Sequence, residues 1–478
     1  MTVSPDRVSA TSVAAGFAHA AQRFDDAAAL RMGHEVITYR EFGTRSRNIA
    51  AALERLSPEA DGPVVVQLPM SADSAAIVLG VFTARRPLVA LDPELPRERI
   101  AGILGELGRH GRSPALFVAA ASHLDDARVI AEPHDLAVVD AATLDVRGDA
   151  DMAVPQRYSA DTVTSIQFTS GSTGSPKGVL HPDAMWLADA VFMRDCFDIT
   201  PGQPVALCLP FSFGAGLNVL INSLLNGAEI TVVDPRTAGT TAVLEAIASA
   251  DSTTAFMTPN LLRALLGARG DADRAHRAWG SVKRIITTGE PLRGDLAADA
   301  VRRARQAVVT NWVGSSETSA LAYFDVRQGD QIEPGNLPAG RLAPGKSVIF
   351  DDDGRIVVVS PYLAQGYLDA TMNPGRFGHD ESGTPYFQMG DRGEWQNGIL
   401  YLQGRTDNAV KVRGYLVEPA EIEKALLADG DLREVTAVPI TNSAGAWSWP
   451  PTWYPAARPA RHRPPCYASG FGIVCRTG

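Results

Sequence analysis

The chain has 478 residues, 45% of them apolar, a formal charge of −10 and a pI near 5.4. That length predicts two or three subdomains with sizeable cores, and the acidity excludes a nucleic-acid scaffold, which needs a concentrated basic face. The first 24 residues lack the basic start and apolar core of an export signal, no run of about 18 apolar residues occurs, and the four cysteines (196, 208, 466, 475) have neither CxxC nor metal spacing, so a cytoplasmic protein without membrane association is expected.

In chain order, residues 63–68 read as a strand, Ser71 as the cap of a helix running to about residue 84, and 88–91 and 115–119 as further strands. The run from Ser165 to His181 is the most informative. A β-branched and aromatic strand feeds a loop in which Gly171, Gly174 and Gly178 allow the backbone N–H groups to turn inward. Thr169, Ser170, Ser172 and Thr173 add hydroxyls, and Lys177 adds a mobile positive charge. Such a loop suits a polyphosphate, although its spacing fails the ordinary nucleotide-loop pattern because Lys177 sits between Pro176 and Gly178. Strands are predicted at 254–257, 282–287 and 307–313, with a helix at 260–266. Beyond about residue 335 the texture turns β-rich, as at 355–360 and 399–402. The fold class is α/β: a large domain of two α/β sheets plus a β-rich subdomain over 1–404, followed by a strand at 410–417, a helix at 419–427 and a strand at 435–438.

Two further strings carry chemistry. In Asn311-Trp312-Val313-Gly314-Ser315-Ser316-Glu317 a strand ends at a glycine and presents a carboxylate. One glutamate beside a phosphate loop is adequate for Mg²⁺, which takes one or two carboxylates and completes its shell with phosphate oxygens and water. In Tyr386 to Asp391, followed by Gly404-Arg405-Thr406-Asp407 and then Lys411, Arg413 and Gly414, Asp391 has the two acceptor oxygens that match a ribose diol, and Arg405 could reach ribose or phosphate. A serine hydrolase built on Ser170 or Ser316 is a poor alternative, since neither lies in a Gly-x-Ser-x-Gly elbow.

These strings together resemble the adenylate-forming ligases, the superfamily of acyl-CoA synthetases, luciferases and adenylation domains of nonribosomal peptide synthetases. The likeness spans about residues 39–440 and includes Leu91-Asp92-Pro93 and Thr288-Gly289-Glu290. It implies that a carboxylate attacks the α-phosphorus of ATP to give an acyl adenylate and pyrophosphate, with CoA or a phosphopantetheine on a separate carrier protein as thiol acceptor and a small carboxylic acid as substrate. By the same likeness Thr169, Lys177, Glu317 and Arg405 are catalytic and Glu317 holds Mg²⁺. The nucleotide falls to Thr169, Ser170, Gly171, Ser172, Thr173, Gly174, Lys177, Gly289, Glu290, Asn311, Gly314, Ser316, Asp391 and Arg405. The acid pocket falls to Gly214, Ala215, Asn218, Trp312 and Ala320, and the likeness makes 405–440 a hinge, at Asp407, and the remnant of a small, incomplete α+β domain.

Departures from the pattern refine the expectation. Amino-acid-activating relatives carry an aspartate where this chain has Gly214, so an acid without an α-ammonium is expected, with Trp312 shortening its cavity. Val313 stands where relatives often place an aromatic against adenine, and Met389 replaces a threonine of the ribose element. No lysine follows Lys424, whereas relatives end with one that bridges carboxylate and α-phosphate. Residues 441–478 hold six prolines, three tryptophans and four arginines but no Asp, Glu or Lys. This reads as an aberrant, disordered tail after a change of reading frame, with impaired adenylation; the alternatives are a partner-binding tail anchored by Trp447, Trp449 and Trp453, and a degenerate nucleotide-binding protein without turnover.

Overall fold

The computed structural model describes residues 11–57, 61–144, 161–169, 176–268, 272–333, 335–405, 410–412, 415–417, 432–439, 467–468 and 471–477, with side chains for all of these but 272–276 and those beyond 405. Short apolar strands such as Val64–Gln67 and Thr254–Met257 are buried on both faces, and successive residues serve different cores. Val64 and Val66 join one cluster and Val65 a second; Phe256 joins the first, whereas Ala255 and Met257 join a third.

Two predominantly parallel sheets result, as expected. The six-stranded sheet runs Val138–Asp140, Leu116–Ala119, Val64–Gln67, Leu88–Leu91, Val163–Thr169, Lys177–Pro182, with only the last pair antiparallel. The nine-stranded sheet has a parallel centre, from Val308–Ser315 through Arg284–Thr287, Thr254–Met257, Pro204–Leu207 and Glu229–Val232 to Ala28–Met32. Antiparallel strands close it at both ends. Helices Tyr39–Leu56, Ala72–Thr83, Asp183–Phe197 and Gly214–Leu225 contribute to the first cluster, which is shared by both sheets. Every residue of Ala72–Thr83 except Asp73 is buried, as befits a helix apolar on nearly all sides. Its N-cap is Ser71, whose hydroxyl accepts from Ser74 N at 3.0 Å, as the sequence predicted.

After residue 335 the chain builds a five-stranded antiparallel sheet from Ser347–Phe350, Arg355–Val359, Phe377–His379, Pro385–Gln396 and Ile399–Arg405. Its core includes Val179, Met185, Leu321 and Ala322, so this subdomain packs against the other two sheets where they converge.

Three differences from the sequence expectations are local. The hairpin Ala28–Met32 with Glu35–Thr38 was not anticipated: only four or five residues per strand carry the signal. The single strand expected at 410–417 is instead two, Val410–Val412 and Tyr415–Val417, paired antiparallel in the register Val412↔Tyr415. Within the tail expected to be disordered, Phe471–Thr477 pairs antiparallel with Leu432–Pro439 and with Tyr467–Ala468. The helix expected at 419–427 and the hinge Asp407 lie outside the described residues.

Asp183, 1% exposed at the start of its helix, accepts a hydrogen bond from Val13 N at 2.8 Å and so docks the first helix, Val13–Arg23. Burial pushes its carboxyl up to about 7. Because the folded value exceeds the unfolded one, Asp183 favours folding at low pH and this contribution is lost as pH rises through about 7. Asp183→Asn keeps an oxygen acceptor for Val13 without the charge. Its thermal midpoint relative to wild type is expected to rise between pH 5 and pH 8; a constant difference across that range in calorimetry would refute the assignment.

Candidate active site

The strands Val163–Thr169 and Lys177–Pro182 form a hairpin whose last paired residues are Thr169 and Lys177, so these two stand at the base of the glycine-rich loop. Ser170, Gly171, Ser172, Thr173 and Gly174 lie outside the described residues. Below Lys177, the return strand is stitched to the segment 364–368 by three backbone hydrogen bonds: Leu368 N to Gly178 O (2.7 Å), Leu180 N to Gly366 O (3.0 Å) and Gln365 N to Leu180 O (2.9 Å). The approach leaves little room for a side chain at 178. A Cβ there would sit 3.0 Å from Leu368 Cβ, 3.1 Å from Ile166 and 3.2 Å from Phe168.

The same segment reaches Glu317. Ala364 N donates to Glu317 O at 2.9 Å, and the Tyr367 hydroxyl donates to Glu317 Oε1 at 3.0 Å. Tyr367 also bridges Val179. A second tie runs from His181, whose Nε2–H donates to the Ser316 carbonyl at 2.8 Å. Burial holds the His181 imidazole down at about 4, so it is neutral. It meets Ser316 at the carbonyl and not at the hydroxyl, which is no hydrolase geometry. The loop hairpin and Glu317, some 140 residues apart in sequence, are thus adjacent.

The ribose candidates come in from the third sheet. Asp391 and Arg405 are paired across neighbouring strands, and Arg405 Nη1 donates to Asp391 Oδ2 at 3.0 Å. Arg405 acts electrostatically on the Tyr367 hydroxyl, whose ionisation is pushed far up by burial and by Glu317. Met389 is buried in the core of this sheet. Gly289 and Glu290 follow the strand Arg284–Thr287, and Asn311 lies next to it, paired with Thr287, at the carboxyl end of the parallel strands where α/β sheets place their ligands. Asn311 Nδ2 donates to Pro338 O at 2.9 Å.

The five pocket candidates fall on the helix Gly214–Leu225 and on the strands Val308–Ser315 and Ser319–Val326. Gly214 opens the helix Gly214–Leu225 and Ala215 packs against the shared core. Asn218 Nδ2 donates to Ser319 Oγ at 3.1 Å, beside Ala320, and Ala320 pairs with Gly314. Trp312, 4% exposed, stands in a nest of Phe192, Phe197 and Phe256 with ring centroids 5.9 to 6.4 Å away.

Sequence reasoning missed the supports beneath these residues. Asp189, on the helix Asp183–Phe197, accepts from Asn218 Nδ2 at 2.6 Å and from the Ser319 hydroxyl. Lys346 turns its ammonium inward to Thr318 O at 2.9 Å and to Tyr362 O. Burial pushes the Asp189 carboxyl up and brings Lys346 down to about 8, each partly opposed by the other's charge. Neither residue belongs to a recognisable string.

The AMP-binding enzyme family model matches residues 17–368. The chain belongs to this family. Among curated relatives, cyclosporin synthetase of Tolypocladium inflatum is 27% identical over 93% of this chain, and indigoidine synthase of Streptomyces lavendulae 27% over 84%. This chain spans only 3% and 32% of those two proteins. The D-alanine–D-alanyl carrier protein ligase of Staphylococcus epidermidis is 24% identical over 88% of this chain and 84% of its own length. Among solved structures, an artificially fused adenylation–carrier di-domain from Klebsiella oxytoca superposes with a TM-score of 0.78 at 22% identity, covering 91% of this chain and 86% of its own. The o-succinylbenzoate CoA synthetase of Bacillus subtilis gives 0.76 at 20% identity, covering 90% and 86%. The family's fold is therefore that of this chain. No helix among the described residues is long and apolar enough to cross a membrane.

Proposed function

We propose that this protein uses ATP to convert a carboxylic acid lacking an α-ammonium into its acyl adenylate, releasing pyrophosphate, and that the acyl group then passes to the thiol of CoA or of phosphopantetheine on a separate carrier protein. The reading rests on one observation: the Tyr367 hydroxyl holds Glu317 while the same residue bridges the return strand of the Thr169–Lys177 hairpin. The acceptor classes are those named for the neighbours, one a fused adenylation–carrier protein and one a CoA synthetase. The use of ATP and the free thiols of Cys196 and Cys208 suit a cytoplasmic site of action.

An oxygen of the substrate carboxylate attacks the α-phosphorus, and the bond to the bridging oxygen of pyrophosphate breaks, that oxygen keeping the electron pair. No protein nucleophile takes part, so the chain's work is positioning and charge stabilisation. Lys177 supplies positive charge at the base of the loop, and Asp391 with Arg405 orients the ribose. No group of three His, Cys, Asp or Glu able to hold a metal occurs among the described residues, which fits a cation that takes one carboxylate and otherwise binds phosphate oxygens and water. With Oε1 engaged by Tyr367, Glu317 would offer Oε2 to Mg²⁺. When bound, Mg²⁺ neutralises developing phosphate charge.

ATP–pyrophosphate exchange across a panel of acids tests this. Exchange with a non-amino acid is expected; a clear preference for a proteinogenic amino acid overturns the substrate class, and ATP binding without exchange overturns the activity. Tyr367→Phe removes one hydrogen bond to a carboxylate. It is expected to raise the Mg²⁺ concentration for half-maximal exchange by about tenfold, equivalent to ~1.4 kcal/mol, with little change at saturation. An unchanged Mg²⁺ requirement would show that Tyr367 does not serve the cation.

A further inference from the structure

For the acid to reach the α-phosphorus, the carbons next to its carboxyl must lie within a few ångströms of the phosphate loop. Along Val163–Thr169 the side chains alternate between faces. Ile166 belongs to the outer core of the six-stranded sheet and Phe168 packs against it, so Gln167 and Thr169 face the opposite side, toward the helices between the sheets. Gln167 is therefore one pleat, about 6.6 Å, behind Thr169 on the same face.

Across from Gln167 stands the first residue of the helix Gly214–Leu225. A Cβ on Gly214 would lie 2.3 Å from Gln167 Oε1, 3.2 Å from its Cδ and 3.4 Å from its Nε2. The carboxamide fills the volume that any side chain at 214 would need. One turn further along the helix, Asn218 is fixed from behind by Asp189 and Ser319. A half-buried neutral amide thus stands between the base of the phosphate loop and the helix that carries the acid pocket.

We propose that Gln167 selects the acid: its carboxamide recognises a neutral hydroxyl or oxo group on the first or second carbon from the substrate carboxyl. This rests on the function proposed above and names its substrate class more closely. A carboxamide offers one acceptor oxygen and two N–H donors and carries no charge. A hydroxyl or carbonyl can pair with it; a plain alkyl acid leaves the amide without a partner in a desolvated site, and an ammonium finds no counter-charge there. Sites that hydrogen-bond a substrate group reject the analogue lacking it far more strongly than apolar pockets reject a missing methylene.

The test is ATP–pyrophosphate exchange with matched triplets that differ in one substituent: lactate, alanine and propionate; 3-phenyllactate, phenylalanine and 3-phenylpropionate; salicylate, anthranilate and benzoate. Wild type is expected to favour the hydroxy member of at least one triplet by about tenfold or more in kcat/KM. Gln167→Leu should bring that ratio to within about threefold of unity while exchange continues, and the isosteric Gln167→Glu should shift preference toward the amino member. Should the leucine variant fail to fold, the glutamate variant alone decides. Exchange whose ratios do not move in either variant overturns the assignment of Gln167 and leaves the function standing. ATP binding with no exchange on any triplet overturns the function and this inference with it.

Discussion

Glu317→Gln is expected to lower ATP–pyrophosphate exchange by about 10²- to 10³-fold, the loss typical when one preorganised charge-stabilising group is removed. Glutamine preserves the shape and an oxygen for the Tyr367 hydroxyl. The turn that carries it stays anchored through Ala364 N to the backbone oxygen of residue 317 and through His181 to Ser316 O. The thermal midpoint should therefore move by no more than a few degrees, and ATP affinity without Mg²⁺ should be retained. Exchange within tenfold of wild type at saturating Mg²⁺ would remove Glu317 from the catalytic role.

The second large effect is on stability. Asp189→Ala leaves the inward-turned Lys346 ammonium without its nearby carboxylate and strips Asn218 and Ser319 of their common acceptor. Removing one of two mutually attracting buried charges and leaving buried donors without their acceptor costs about 1–3 kcal/mol, whereas replacing both charges by apolar groups is often neutral. Asp189→Ala is thus expected to lower the denaturant midpoint sharply, and the double variant Asp189→Leu with Lys346→Met to recover most of it. If the double variant is as unstable as the sum of its singles, the two charges are not coupled.

Much of this arrangement was legible in the sequence, for reasons that differ by element. The strands at 64–67 and 254–257 were readable because both their faces are buried, which leaves short apolar runs such as Val64-Val65-Val66 and Ala255-Phe256-Met257. The helix after Ser71 was readable because its cap is a side-chain chemistry fixed by local sequence. The glycine-rich loop stood out by its glycines, hydroxyls and embedded Lys177, and the string ending at Glu317 only in combination with that loop and the family likeness. Asp189, Lys346 and Gln167 did not. Each stands against a residue that folding brings to it: Asn218 is 29 positions from Asp189, Thr318 is 28 from Lys346, and Gly214 is 47 beyond Gln167. Nothing periodic links such pairs. The reversal between 412 and 415 was missed because alternating apolar residues read alike in one strand or two.

The order in which the nine-stranded sheet is assembled bears on how this chain is made. Its hairpin of residues 28–38 finds its parallel neighbour only at Glu229–Val232, in the register Leu30↔Ile230, and the whole six-stranded sheet is encoded between them. At ribosomal speeds of about 5–20 residues per second, those first strands emerge roughly 10–40 s before their partner exists. Throughout that interval Ala29 and Leu30, fully buried in the finished protein, are covered by the helices Tyr39–Leu56 and Ala72–Thr83 but lack the parallel strand that completes their place in the sheet. Slower translation through the intervening stretch, or a shortage of chaperones, is expected to lower the yield of folded protein.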